Sequence, residues 1–222
     1  MEQKNSGCAP GGFSGGYKET VGKVAAAYDA ACNDWNALRK NCVINTCIAQ
    51  FESLLDRGCR VLDIGCGTGF PVAKYFSDGG FRVTGMDVSE KMIEKANAQR
   101  LENAEFFVCD FIKFDASCKY GAAIAFDSLW HIPFVAQEKI YQKVSKLLEC
   151  GGYFLFTHGR RESEMWGEMF GEKFYYSALG GEKLRRLLID GGFEIIRYEE
   201  DYKEKTTGSR DLLVVAKKIK EK

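Results

Sequence analysis

The sequence predicts an α/β domain in which a mostly parallel sheet carries helices on both faces. Three observations predict it. From about residue 60 onward, short apolar runs with strand character alternate with amphipathic helical stretches, the mark of repeated strand–helix–strand units. One of these runs, Arg60–Ile64, opens into Gly65-Cys66-Gly67-Thr68-Gly69 ahead of a helical stretch. Glycines there let the chain turn tightly and leave no side chain where a ligand must approach the strand's carboxyl end. Finally, the chain closes on two strand-like runs joined by a short polar loop, an antiparallel edge hairpin on an otherwise parallel sheet.

Each element follows in order. Residues 1–16 are rich in glycine and serine without an apolar core, and read as a disordered leader. Residues 19–56 are helical in pattern: Val21, Val24 and Tyr28 share one face, and Ile44, Ile48, Phe51 and Leu55 another. These two helices make a cap, residues 17–57, on a core of residues 58–218. The helix after the first strand begins near Gly69 with Pro71 in its first turn. The second strand is 81–86, and Ser89 N-caps the following helix, with Glu90 in its first turn and Met92, Ile93 and Ala96 inward. The third strand is 105–109 and the fourth 121–126. Ile140, Val144, Leu147 and Leu148 stripe the next helix, which Gly151-Gly152 ends before a fifth strand over 153–157. A polar and aromatic connection, 158–179, leads to a helix over 182–190 closed by Gly191-Gly192, then to strands 193–198 and 211–216. No repeat and no linker divides the chain, so residues 17–218 form a single domain.

Composition narrows the function classes. With 222 residues, 45% of them apolar, the chain suffices for one full core. Lys+Arg and Asp+Glu both number 31, so no net field exists to hold an extended nucleic acid. The ending Lys217-Lys218-Ile219-Lys220-Glu221-Lys222 reads as a solvated tail. The nine cysteines include no C-x-x-C pair, and neither histidine sits near paired thiols, so no metal site is expected. Cys59, Cys66 and Cys109 fall in or beside strands, where a free thiol serves as a small hydrophobe. The odd count, without a signal peptide, points to a reducing cytoplasm. No apolar run is long enough to cross a bilayer.

The glycine turn is G-x-G-x-G rather than the dinucleotide pattern G-x-G-x-x-G, and Asp63 precedes it inside the strand. An acid there disfavours a pyrophosphate and suits a ligand with an amino group. Asp87 ends the second strand, where a carboxylate can accept both hydroxyls of a ribose; its bland alternative is a helix-start acid. Asp110 follows the third strand in Val108-Cys109-Asp110-Phe111, placed for an adenine amino group with Phe111 or a neighbour against the base; its bland alternative is a loop acid beside a core phenylalanine. Met86 and Val88 flank Asp87 and serve either the base or the core.

These segments resemble motif I and the following acidic positions of the class I S-adenosylmethionine-dependent methyltransferases, over about residues 17–217. The resemblance implies a Rossmann-like α/β sheet of seven strands in the order 3-2-1-4-5-7-6, the seventh antiparallel, under an N-terminal helical cap. It implies S-adenosyl-L-methionine as cofactor, with Asp63, Gly65, Cys66, Gly67, Gly69, Asp87, Val88, Asp110 and Phe111 around it. Phe126-Asp127-Ser128-Leu129-Trp130-His131-Ile132-Pro133 resembles the motif IV region, whose first residues, here Phe126 and Asp127, border both cofactor and acceptor. The Asn/Asp-Pro-Pro-Tyr of nucleic-acid N-methylating members is absent, which counts against adenine or glutamine amide acceptors. Tyr28 opens a Tyr-Asp pair resembling the start of the family's helical lid, and Tyr17 is a second candidate to close the pocket.

Two histidines are candidate general bases: His131, alternatively a packed ring, and His158 after the fifth strand, alternatively structural. Arg160 and Arg161 are candidates for an acidic acceptor group. Trp166, Phe170, Phe174, Tyr175 and Tyr176 suit a lid over a planar acceptor or plain packing. The expected activity is in-line methyl transfer to the oxygen or nitrogen of a small molecule, by a monomer or homodimer. A protein or tRNA acceptor and a non-catalytic S-adenosylmethionine-binding regulator stand as alternatives. A nicotinamide-dependent oxidoreductase is opposed by the glycine spacing and by Asp63. Arsenite methylation is opposed by the cysteine positions.

Overall fold

The computed structural model describes residues 16–204 and 207–220, so the leader expected over 1–16 lies almost wholly outside the described residues. Two helices open the chain, α1 (Tyr17–Lys40) and α2 (Thr46–Glu52). The alternating core follows as β1 (Arg60–Ile64), α3 (Val72–Asp78), β2 (Arg82–Asp87), α4 (Glu90–Ala98), β3 (Ala104–Val108), β4 (Tyr120–Ala125), α5 (Phe134–Leu147) and β5 (Leu148–His158). Then come β6 (Ser163–Met169), β7 (Glu172–Ala178), α6 (Gly181–Asp190), β8 (Phe193–Glu204) and β9 (Gly208–Lys218).

Seven strands form one sheet in the order β3-β2-β1-β4-β5-β9-β8. Pairings from β3 to β5 are parallel, and β9 runs antiparallel to both of its neighbours. This is the order that the resemblance implies, with β9 as the seventh strand of the sheet. Successive residues of a strand face opposite sides. Leu62, Phe154 and Val214 accordingly pack under α5 and α6 with Ile140, Tyr141, Leu184 and Leu188. Val61, Leu155 and Leu213 face the other way, among Ile48, Phe51, Phe76 and Ile93 from α2, α3 and α4. Among the described residues no helix is long and apolar enough to cross a membrane.

Three expectations are corrected. The connection over 158–179 is a two-stranded hairpin, β6–β7, with its own register from Ser163↔Ala178 to Met169↔Glu172. Gly151-Gly152 do not end a helix. The helix stops at Leu147 and the glycines sit inside β5 at a register shift, where a Cβ on Gly152 would stand 3.0 Å from the Gly121 and Glu149 carbonyl oxygens. Lys218 is no solvated tail residue either: it is buried at the end of β9, and its Nζ donates to the Leu148 carbonyl at 2.9 Å.

Candidate active site

The strand-to-helix turn after β1 is built by backbone. The Gly65 and Cys66 N–H groups both donate to the Met86 carbonyl of β2, at 2.8 and 2.9 Å, and Gly67 N–H donates to Asp87 Oδ2 at 3.0 Å. Gly65 has φ +75°, and a Cβ there would stand 2.4 Å from Ser128 Cβ. Only glycine meets both demands. A cavity opens above this turn at the carboxyl ends of β1, β2, β3 and β4, roofed by α1.

Three carboxylates from three adjacent strands reach it. Asp63 is buried and its Oδ2 has no hydrogen-bond partner. Burial, and secondarily the nearby Asp87 charge, push its carboxyl up to about 7, with Arg39 opposing. Asp87 accepts from Gly67 N–H through Oδ2 and from Ser89 N–H through Oδ1 at 2.9 Å. Burial raises its carboxyl and these backbone donors hold the rise back. Asp110 Oδ1 accepts from the Tyr17 hydroxyl at 2.7 Å and from Ile112 N–H at 3.1 Å, while Oδ2 pairs with Lys113 Nζ at 3.2 Å. Val88 and Phe111 line the same cavity beside Asp87 and Asp110, as do Cys66 and Phe126.

The fourth carboxylate, Asp127, also faces the cavity but is already committed. It has φ +58°, unusual for a residue with a side chain. Arg210 of β9 holds it bidentately, Nε to Oδ1 at 3.0 Å and Nη2 to Oδ2 at 2.6 Å, and Thr157 Oγ1 adds a bond at 3.2 Å. Arg210 is itself buried, 5.0 Å over the Phe126 ring. The next residue, Ser128, donates from Oγ to the Ile64 carbonyl at 2.6 Å and packs on Gly65. The loop after β4 is thus bolted to both β9 and the glycine turn.

The roof is aromatic. Tyr28 of α1 stands edge-on to Trp35 (5.8 Å), His131 (5.2 Å) and Phe174 (4.7 Å), and its hydroxyl meets His131 Nε2 at 2.7 Å. Tyr176 lies 4.9 Å from the His131 ring and Phe170 6.3 Å from Trp35, so the β6–β7 hairpin backs α1. Asp29 pins α1 from the other side by accepting from Ser89 Oγ at 2.5 Å and Lys91 N–H at 3.0 Å at the start of α4.

The profile of a family described as a methyltransferase domain matches residues 55–202, more than half of the chain. The protein belongs to the class I S-adenosylmethionine-dependent methyltransferase family. Among curated relatives, this chain is 26% identical over 161 residues to the ubiquinone biosynthesis O-methyltransferase of Vibrio cholerae, covering 70% of this chain and 59% of that one. It is 30% identical over 107 residues to (+)-O-methylkolavelool synthase of Herpetosiphon aurantiacus, covering 45% of this chain and 37% of that one. The matched region thus spans between 37% and 59% of the length of these relatives. Its fold is that of the Burkholderia thailandensis 1,6-didemethyltoxoflavin-N1-methyltransferase, solved with S-adenosylhomocysteine, with TM-score 0.72, 19% identity, and coverage of 95% and 94% of the two chains.

The residues present fit S-adenosylmethionine. Asp63 offers a buried carboxylate oxygen without a partner, and Arg39 a buried Nε without one, both on the cavity. An amino acid's ammonium and carboxylate complement that pair.

Two expected site residues fall elsewhere. Gly69 does not line the cavity: at φ +81°, a Cβ there would meet Gln99 Nε2 at 2.9 Å and the Phe106 ring, so it serves the turn's packing. His158 is the last residue of β5, opposite Leu212, and is fully buried away from the cavity, its Nδ1 donating to the Gly159 carbonyl at 2.8 Å and its Nε2 3.3 Å from Gln137 Oε1. Burial lowers it to about 4, and it is a core histidine. Arg160 pairs with Asp201 at 2.7 Å, on the surface. Sequence reasoning missed Trp35 and Arg39, which line the cavity. The signal was present: Tyr28, Trp35 and Arg39, at i, i+7 and i+11, share one helix face.

Proposed function

We propose that this protein transfers the methyl group of S-adenosylmethionine to an oxygen or nitrogen of a small organic molecule by direct in-line displacement. One observation carries the reading: Asp63, Asp87 and Asp110 converge from three neighbouring strand ends on one cavity over a glycine turn. When bound, the cofactor supplies a methyl group already activated on a sulfonium. The chain's own residues supply the rest. Asp63 and Arg39 hold the amino-acid end, Asp87 the ribose hydroxyls and Asp110 the adenine amino group, with Val88 and Phe111 against the base. Tyr17 caps the Asp110 end, Tyr28 lies over the methyl-transfer end, and α1 excludes water. Alignment and desolvation are the main sources of rate, with His131 as the proton's destination.

The names of the relatives, which refer to small organic molecules methylated on oxygen or nitrogen, support the acceptor class. All described cysteines are thiols, which suits the cytoplasm as the proposed location. The test is titration with S-adenosylmethionine followed by an acceptor screen read as S-adenosylhomocysteine release. Binding with release supports transfer. Binding without release for any small acceptor returns the reading to the protein, tRNA or regulatory alternatives.

A further inference from the structure

Resting on methyl transfer at this site, we propose that Tyr28 receives the acceptor's proton and passes its own to His131, so that the acceptor is an uncharged hydroxyl compound of the phenol type. The hydrogen-bond directions carry the argument. His131 Nδ1 is 2.7 Å from the Tyr175 carbonyl oxygen, which can only accept, so Nδ1 holds the ring's proton. The lone pair is therefore on Nε2. Two donors meet it: the Tyr28 hydroxyl at 2.7 Å and Trp130 Nε1–H at 3.1 Å. His131 is thus not open to an acceptor directly. The Tyr28 oxygen is, because Tyr28 lines the cavity and its proton is spent on His131, which leaves the oxygen free to accept.

The other tyrosines near the site are wired differently. Tyr17 and Tyr175 donate to the carboxylates of Asp110 and Glu164. Tyr28 alone of the three donates to a neutral base, the arrangement a relay requires. Burial lowers His131 to about 4 and lifts the Tyr28 hydroxyl well above its usual value, so both rest uncharged. The proton then moves with the methyl group. The acceptor O–H bond breaks as the O–CH₃ bond forms and the donor's S–CH₃ bond breaks. The acceptor's proton goes to Tyr28 Oη, the Tyr28 proton goes to His131 Nε2, and Trp130 N–H yields its contact. The positive charge that leaves the sulfonium reappears on the imidazolium, whose Nδ1–H keeps the Tyr175 carbonyl.

The cavity also weakens the binding of an anionic acceptor without barring it, which should show as a higher KM for a phenolate than for a phenol. Four aspartates line it against one basic side chain, Arg39, and Arg39 lies with Asp63 at the amino-acid end. The Trp35 ring, beside Tyr28 on the cavity, suits a planar partner.

The experiment uses the full chain with S-adenosylmethionine at mildly alkaline pH and two probes, phenol, which stays neutral there, and 4-nitrophenol, which is largely ionised there and in no need of a base. Wild type should methylate both. Tyr28→Phe, which keeps the ring, should lower kcat on phenol by about 100-fold or more, the usual contribution of a positioned proton acceptor. On 4-nitrophenol the loss should shrink to less than about tenfold, with S-adenosylhomocysteine affinity changed less than about threefold. His131→Asn should give the same pattern. Equal losses on both phenols, or a parallel loss of S-adenosylhomocysteine affinity, would make Tyr28 a packing contact and overturn the relay. Cofactor binding without transfer to either phenol overturns this proposal alone, whereas absence of cofactor binding defeats the methyl-transfer reading itself.

Discussion

On the β1–β3 side the cavity is walled by strand ends: a glycine turn fixed by backbone N–H groups, and three aspartates, Asp63 and Asp87 within the last residues of β1 and β2 and Asp110 just past β3. On the α1 side it is walled by Tyr28, Trp35 and His131, and rings of the β6–β7 hairpin, Phe170, Phe174 and Tyr176, pack behind these three. The first wall is polar and locally encoded. The second is apolar and exists only once the chain has folded. Between them runs the loop of Asp127 and Ser128, held by Arg210 from the last strand. On the proposed function, the contrast separates a part that fixes a cofactor from a part that shapes an acceptor.

The largest effect expected is at the bolt between the two walls. Arg210→Ala leaves the Asp127 carboxylate buried and unpaired, a change that costs about 3–5 kcal/mol. Denaturant unfolding measures it. Replacing both partners by leucine should cost less than the single change, and equal costs would show that the pair contributes little.

Acid should act next. Burial holds His131 and His158 at about 4, below the ordinary value of 6.5. The unfolded chain therefore takes up protons first, and stability falls as pH drops from 6.5 to 4, by up to about 3 kcal/mol per histidine. Asp63, raised to about 7, works in the opposite sense, stabilising the ligand-free protein as pH falls from 7 towards 4. His158→Gln should flatten the acid loss measured by thermal melting between pH 6.5 and 4. An unchanged slope would mean that His158 is not held neutral.

The first wall was legible because its information is local. Asp63, Asp87 and Asp110 each sit at a strand end that the apolar runs announce, and neighbouring strand ends share a crevice by topology. The β6–β7 hairpin was not legible. Its two-residue turn is Phe170-Gly171, with φ +54° and +77°, and phenylalanine does not advertise a left-handed position as asparagine does. His158 misled because β9 pairs with β5 as far as Leu212, which extends the strand beyond its apolar run and buries the imidazole against Gln137. Asp127 lines the cavity, but its partner lies 83 residues away and no local pattern reveals it.

Gly65→Ala sharpens the contrast on the cofactor side. A side chain at φ +75° costs about 1–2 kcal/mol, and its contact with Ser128 must displace the motif IV loop. Loss of S-adenosylhomocysteine binding with a modest fall in stability is expected by calorimetry and unfolding. At the other extreme stands Phe170→Ala on the acceptor side. The ring is 40% exposed, so stability should change by no more than about 0.5 kcal/mol and S-adenosylhomocysteine affinity should not change. A loss of affinity there would erase the division between the two walls.

The central claim is that three strand-end carboxylates hold S-adenosylmethionine. Calorimetric titration of the wild-type protein and of Asp87→Ala with S-adenosylmethionine and S-adenosylhomocysteine tests it most directly. The account predicts saturable binding to wild type and a loss of about 1.5–3 kcal/mol in the variant, the usual size for hydrogen bonds to a charged group. Equal affinity of the two proteins, or no binding by wild type, would contradict it.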